Sequence, residues 1–183
     1  MIDKTMISAL KTAPQKLLGL ATGVGLGLAI AGCGDVVTED FQAMAVTTHT
    51  WRAEYTPAGV TPDRPREGRI EEFETNSLVN MNGEPTVDPT GEQDSNGIWW
   101  PALPPRPSVD ELEARLKDGE KFSRPQIHST VDYTLTFEQD GETVTLPTGY
   151  TVYRRAVQAH ERDRPIELLL GPGDAYVQKA EIQ

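Results

Sequence analysis

The sequence predicts a mainly β protein with one short helix, an α+β domain built as an antiparallel sheet or a small barrel. In residues 131–138 apolar side chains alternate with polar ones, which is the period of a strand that buries one face. Asp140-Gly141 follows as a strong two-residue hairpin signal. Ser108 with Glu111 forms a capping-box pattern, which places the helix just before these strands.

The first half of the domain contains two predicted strands separated by a loop. Residues 44–55 are rich in threonine, valine and aromatic side chains, which favour a strand. Residues 56–68 contain three prolines and are predicted to be a loop, and residues 69–81 a second strand. Residues 82–97 are acidic and rich in turn-forming residues, so they should form a longer loop.

The helix predicted after Ser108 carries a single apolar stripe. Val109, Leu112 and Leu116 fall on one helical face, and Gly119 supplies a stop signal. A helix of about three turns with one apolar face must pack against another element. We expect that element to be the sheet.

The positions of the apolar residues test the register of the hairpin centred on Asp140-Gly141. If Gln139 pairs with Glu142, Phe137 lies opposite Val144, and both apolar side chains fall on one face. Three further strands are predicted at residues 150–159, 166–170 and 175–182. Residues 172–174 should form the turn between the last two.

The amino terminus has the pattern of an export signal. Residues 1–16 are polar and carry three lysines, and residues 17–30 are apolar but too short and glycine-rich to span a bilayer comfortably. The next residues complete Ile30-Ala31-Gly32-Cys33, which resembles the lipobox of bacterial lipoprotein signal peptides. The alternative is a buried core helix that happens to end in a cysteine.

The lipobox resemblance implies a specific processing route. Residues 1–32 would be a signal peptide removed by cleavage between Gly32 and Cys33, and the Cys33 thiol would accept a diacylglyceryl group. Two or three acyl chains hold a protein stably on a membrane, whereas one does not. Residues 33–43 would form the lipidated tether and residues 44–183 a single globular β-rich domain.

The charge balance argues against one class of partner. The chain has 28 acidic and 17 basic residues, a net charge of −11, and residues 1–32 hold three of the lysines and one acid. A domain this acidic repels phosphate backbones, so we expect no nucleic-acid partner. Its single cysteine leaves no internal disulfide and no thiolate metal cluster.

No catalytic motif with a useful spacing is present, and we predict no catalytic residue and no cofactor. His49, His128 and His160 are far apart in the sequence. His128 and Ser129 are adjacent, but neighbours on a strand point to opposite faces and cannot form a nucleophile–base pair.

The acidic loop offers a weak candidate for calcium. Asp88, Glu92, Asp94 and Asn96 supply oxygen ligands, but the loop lacks the order and the distant glutamate of an EF-hand. A solvated acidic loop is the better interpretation, and no metal is predicted.

Trp99 and Trp100 are candidate partner contacts. Adjacent residues on an extended chain point to opposite sides, so one ring should be buried and the other at least partly exposed. The segment Pro101-x-x-Pro104-x-Arg106 also fits a polyproline ligand pattern. The alternative is a stiff connector that leads the chain to the helix at Ser108, with the tryptophans packed into the core.

Arg154 and Arg155 form a second candidate contact, a basic patch in an acidic chain. Such a patch can engage an anionic partner or a lipid headgroup. The alternative, which we favour, is pairing with the chain's own surplus carboxylates.

These observations predict a lipid-anchored, extracytoplasmic accessory or binding protein of a bacterial membrane, on the periplasmic or outer-membrane face, that is not an enzyme. Its partners would be the membrane, through acyl chains on Cys33, and an envelope or membrane protein complex. One alternative is an envelope hydrolase or transferase with an unidentified site. Another is a structural envelope protein without a discrete ligand.

Overall fold

The computed structural model describes residues 35–59 and 68–183, and within these ranges the chain forms one large sheet with two α-helices. The predicted signal peptide and lipobox lie outside the described residues. Among the helices that are described, none has the length and apolarity needed to cross a membrane. The elements are β1 (Asp35–Thr38), β2 (Phe41–Pro57), β3 (Arg69–Met81), β4 (Glu84–Pro85), α1 (Val109–Ala114), β5 (Glu120–Phe122), β6 (Gln126–Gln139), β7 (Glu142–Thr148), α2 (Tyr150–Glu161), β8 (Ile166–Leu170), a 3₁₀ turn (Pro172–Asp174) and β9 (Val177–Ile182).

The sheet is open and mixed, in the order β1-β8-β9-β7-β6-β2-β3-β4, with β5 pairing separately with β2. The mainly β prediction is confirmed. The barrel alternative is wrong, because the sheet has two free ends. The sheet is largely but not purely antiparallel, because β7 and β9 run parallel through Thr148 and Val177. A helix between β7 and β8 carries the chain across the sheet and makes this parallel pairing possible.

Strand β2 is the centre of the sheet. It pairs with β6 from Phe41↔Phe137 to Arg52↔Gln126, and with β3 from Met44↔Met81 to Tyr55↔Arg69. Five of its odd-numbered residues are buried on one face of the sheet: Ala43, Ala45, Thr47, Ala53 and Tyr55. That face is covered in turn by α2, by an extended proline-rich segment and by α1.

The hairpin between β6 and β7 forms as predicted. Gln139 pairs with Glu142 and Phe137 with Val144. Asp140 and Gly141 both have positive φ, 54° and 81°, as a type I′ turn requires.

Helix α1 begins with the predicted capping box but is shorter than expected. The Ser108 side chain accepts from the Glu111 backbone N–H, and the Glu111 carboxylate accepts from the Ser108 N–H. Only Leu112 of the predicted stripe is buried, packing with Ala53 and Tyr55, while Val109 is 61% exposed. The apolar contact of α1 is therefore one side chain rather than a stripe.

Residues 150–159 form helix α2, so their prediction as a strand is wrong, as is the prediction of only one helix. Tyr150, Thr151, Val152 and Tyr153 favour strands by intrinsic propensity. The buried residues are instead Val152, Tyr153, Ala156, Val157 and Ala159, the spacing of one helical face. Tertiary packing on the sheet outweighs the local preference, because the helix propensities of ordinary residues differ by only about 0–0.7 kcal/mol per residue.

The prediction of a tether over residues 33–43 needs correction, because part of this range lies in strands β1 and β2. Asp35–Thr38 pairs antiparallel with β8, from Asp35↔Leu169 to Thr38↔Ile166, and β2 begins at Phe41. The partner of β1, strand β8, lies about 130 residues further along the chain. No local sequence pattern therefore predicts β1.

Candidate functional site

A proline-rich segment, residues 98–107, crosses the covered face of β2 and β3, and we call it the strap. Ile98, Pro101, Pro104 and Pro107 are buried, one residue in every three. Three residues per turn is the period of a polyproline II helix, and four prolines hold φ near the value that this helix needs. The strap therefore docks on the sheet with one of its three edges.

Buried polar side chains of the sheet hold the strap by its backbone. Asn80, fully buried, accepts from the Trp99 N–H through Oδ1 at 2.9 Å and donates from Nδ2 to the Trp99 carbonyl at 3.0 Å. The Thr47 hydroxyl, also fully buried, donates to the same carbonyl at 2.9 Å. These bonds satisfy backbone groups that strap burial removes from water.

Two further bonds fix the strap beyond Trp99. Asn76 donates from Nδ2 to the Ala102 carbonyl at 3.0 Å, and Trp51 donates from Nε1 to the Pro104 carbonyl at 2.9 Å. Pro101 and Pro104, the prolines of the polyproline ligand pattern, face the sheet. The stiff-connector interpretation therefore fits this segment, and the polyproline-ligand one does not.

Trp99 and Trp100 are both half-buried, so the prediction that one of the two packs in the core is wrong, while the partial exposure predicted for the other is found. Ile98 takes the core position instead. Trp100 stacks on His49 with ring centroids 4.8 Å apart and 18° between planes, and its Nε1 donates to Asp94 Oδ2 at 3.1 Å. The ring is thus fixed on one side and at its polar edge.

Asp94 organises the acidic loop from which it projects. Its Oδ1 accepts from the backbone N–H groups of Asn96 and Ile98, at 2.8 and 3.0 Å, while its Oδ2 accepts from Trp100. Within residues 35–59 and 68–183, no three His, Cys, Asp or Glu side chains come close enough together to hold a metal ion. Asp94, one of the three carboxylates of the calcium candidate, therefore accepts hydrogen bonds from its own loop and from Trp100.

A cavity of about 600 Å³ lies between the strap and the acidic loop. Trp100 and Leu103 line it from the strap, His49 from β2, and Glu92 and Asp94 from the loop. Its two sides therefore differ in character, since one is aromatic and aliphatic and the other carries carboxylates.

A second edge of the strap carries the half-buried Trp100 and the exposed Leu103 and Arg106, and we call these three residues the exposed ridge. Leu103 is 60% exposed, and the Arg106 guanidinium lies 5.9 Å from the centroid of the Trp51 ring. The three residues recur at the same period of three as the buried set. A rigid backbone thus presents an aromatic, an aliphatic and a cationic side chain in a row.

The structure separates the two arginines that the sequence grouped. Arg154 is half-buried and lines a cavity of about 720 Å³ with Glu84, His160 and Glu161, whereas Arg155 is exposed. In the described part of the chain neither forms an ion pair within 4.0 Å, so the favoured pairing with the chain's own carboxylates is not found there.

The two candidate regions are neighbours. Gln93 lines both the cavity beside Trp100 and the larger one beside Arg154. Of the four residues predicted as partner contacts, the fold brings Trp100 and Arg154 to adjoining cavities, while Trp99 serves as a backbone attachment point for the strap.

Sequence reasoning missed a histidine–serine pair. His49 Nδ1 lies 2.8 Å from Ser129 Oγ, because β2 and β6 pair these two residues directly. Burial lowers the pKa of His49, which favours the neutral ring. Only the β2–β6 register reveals this pair, since 79 residues separate its members in the sequence.

Comparison with known proteins adds no assignment. No family model matches the chain, and no curated protein and no solved structure is significantly similar to it.

Proposed function

We propose that the chain is a lipid-anchored, extracytoplasmic binding protein of a bacterial membrane, acylated at Cys33, that holds a partner rather than transforming a substrate. The observation that carries the proposal is the position of Cys33 relative to β1. Strand β1 begins at Asp35, two residues after the cysteine that ends the lipobox pattern. The lipobox pattern therefore ends two residues before the first strand that the structure describes.

Anchorage at Cys33 would place the sheet close to the bilayer. Two residues of extended chain span about 7 Å at most, so an acylated Cys33 would keep the β1 edge near the headgroups. With almost no tether, the domain would be restricted in orientation as well as in distance. A binding surface on such a domain gains effective concentration toward partners in the same membrane.

The exposed ridge is the surface best suited to contact a partner. Tryptophan and arginine are the residues most enriched among interface hot spots. Trp100 is held by His49 and Asp94, and the strap backbone by Asn80 and Thr47. Because these groups are already ordered, binding there would cost little conformational entropy.

Metabolic labelling with an alkyne palmitate, together with membrane fractionation, tests the anchor. The wild-type chain should be labelled and sediment with membranes. Cys33→Ser should lose the label and, with it, the membrane association. Equal labelling of both chains would rule out acylation at this site.

A hydrolase is the second candidate, favoured by the His49–Ser129 pair alone. A neutral imidazole within 2.8 Å of a hydroxyl is the first requirement of a nucleophile and its general base. Reaction with a fluorophosphonate probe tests it. Labelling that disappears in Ser129→Ala would support the hydrolase, and no labelling of the wild-type chain would leave the pair a cross-strand contact.

A further inference from the structure

We propose that the cavity beside the exposed ridge binds an extended peptide segment in which apolar and basic residues alternate. The inference rests on the proposed function, that the chain is a binding module acting through the ridge, and adds the chemistry of the partner.

The apolar side of the cavity between the strap and the acidic loop, which we call the groove, is preorganised to accept a side chain. Trp100 and Leu103 are three residues apart on a strap with the polyproline II period, so their α-carbons lie about 9 Å apart. The Trp100 ring is immobilised by its stack on His49, and Leu103 is 60% exposed beside it. An aliphatic side chain placed between them would remove both from water.

The opposite side of the groove favours positive charge. Glu92 and Asp94 line the same cavity, and Glu92 forms no ion pair with any residue that the structure describes. The sequence contains no lysine or arginine from Ile70 to Pro105, so no nearby basic residue along that stretch offsets these carboxylates. A cationic side chain is the complement that this wall lacks.

The apolar side and the acidic side of the cavity together favour an extended peptide whose apolar and basic side chains alternate. Successive side chains of an extended chain point to opposite sides. A peptide lying along the groove would turn its apolar residues to Trp100 and Leu103 and the intervening basic residues to Glu92. A glycan, the other polymer of a bacterial envelope, would use the aromatic ring but has no need of the aliphatic Leu103 or of a carboxylate wall.

The test is a binding titration with a defined peptide. The full chain, purified in zwitterionic detergent, is titrated into dye-labelled acetyl-Lys-Leu-Lys-Leu-Lys-Leu-amide, and anisotropy is read against micelles alone. The same measurement uses a Glu-Leu hexapeptide and a chitin oligosaccharide as competitors. The variants are Leu103→Ser and Glu92→Gln, with Ile70→Ser as the matched control because Ile70 is 65% exposed on β3 and does not line the cavity.

The Lys-Leu peptide should bind the wild-type chain, and each groove variant should weaken binding by about tenfold, as loss of roughly 1.4 kcal/mol at a contact residue does. Ile70→Ser should bind within about twofold of the wild type, since its surface is uninvolved. Raising the salt concentration should weaken binding to the wild type more than to Glu92→Gln.

Three results would overturn the proposal: no binding of the Lys-Leu peptide to the wild-type chain, equal binding by all variants, or displacement of the peptide by the Glu-Leu hexapeptide or the oligosaccharide at the same concentrations. None of them would affect the alkyne palmitate result at Cys33. Failure of the peptide hypothesis is therefore distinguishable from failure of the proposed function.

Discussion

Replacing Asn80 by alanine should detach the strap from the sheet. Asn80 is fully buried and is bonded through both atoms of its amide to the N–H and the carbonyl of Trp99. Alanine leaves the Trp99 N–H without this acceptor, and it leaves the carbonyl with the Thr47 hydroxyl as its remaining donor.

The expected loss of stability for Asn80→Ala is about 3 kcal/mol. Leaving one partly buried donor unsatisfied costs about 1–3 kcal/mol, and loss of the second hydrogen bond adds about 1 kcal/mol. Thr47→Val keeps the shape and removes only a donor, so it should cost about 1 kcal/mol. In the double variant the Trp99 carbonyl loses both donors. The loss of stability of the double variant should therefore exceed the sum of the two single losses by about 1 kcal/mol.

Urea denaturation of the four chains measures this coupling. Thr48→Val is the matched control, because the Thr48 hydroxyl bonds Ser77 on an exposed part of the sheet and should matter little. A double variant that is additive within about 0.3 kcal/mol would refute the shared role of Asn80 and Thr47 at Trp99. So would a cost below about 1 kcal/mol for Asn80→Ala.

Three further changes test the fold around the site. Gly141→Val should lower the free energy of unfolding by about 1 kcal/mol or more, because Gly141 has φ 81°, and an unchanged urea midpoint would contradict the turn. Ser108→Ala should cost about 1 kcal/mol by removing the cap from α1, and a loss under about 0.3 kcal/mol would mean that the cap is dispensable. Burial raises the pKa of Tyr153 to about 12, against about 10 in the unfolded chain, so stability should fall as pH rises between these values. Tyr153→Phe should reduce that fall, and an equal slope in both chains would contradict the burial.

The elements that sequence reasoning predicted well are those specified by local chemistry. Asp140-Gly141 can adopt the positive φ values of a type I′ turn, and the apolar residues on either side fix one register. The Ser108 cap depends on a contact three residues away. Asn82-Gly83 carries the same hairpin signal and forms the turn between β3 and β4. Strand β4 has only two residues, so it shows no alternation of apolar and polar side chains that would predict it.

The elements that were missed depend on contacts distant in sequence. Helix α2 begins at Tyr150 after an N-cap, Gly149, that has no side chain to cap it, and it contains strand-favouring residues, so only its packing on the sheet decides its structure. Strand β1 exists because β8 pairs with it. The candidate site was also predicted only in part. The sequence singled out Trp100, but it did not reveal the burial period of the strap, the role of Asn80 beneath the strap or the place of Leu103 beside Trp100.

Mass spectrometry of the amino-terminal peptide of the membrane-extracted protein tests cleavage and acylation at Cys33 directly. We expect a peptide that begins at Cys33 and carries a diacylglyceryl group, with residues 1–32 absent. A peptide that still begins at Met1, or an unmodified Cys33, would contradict it.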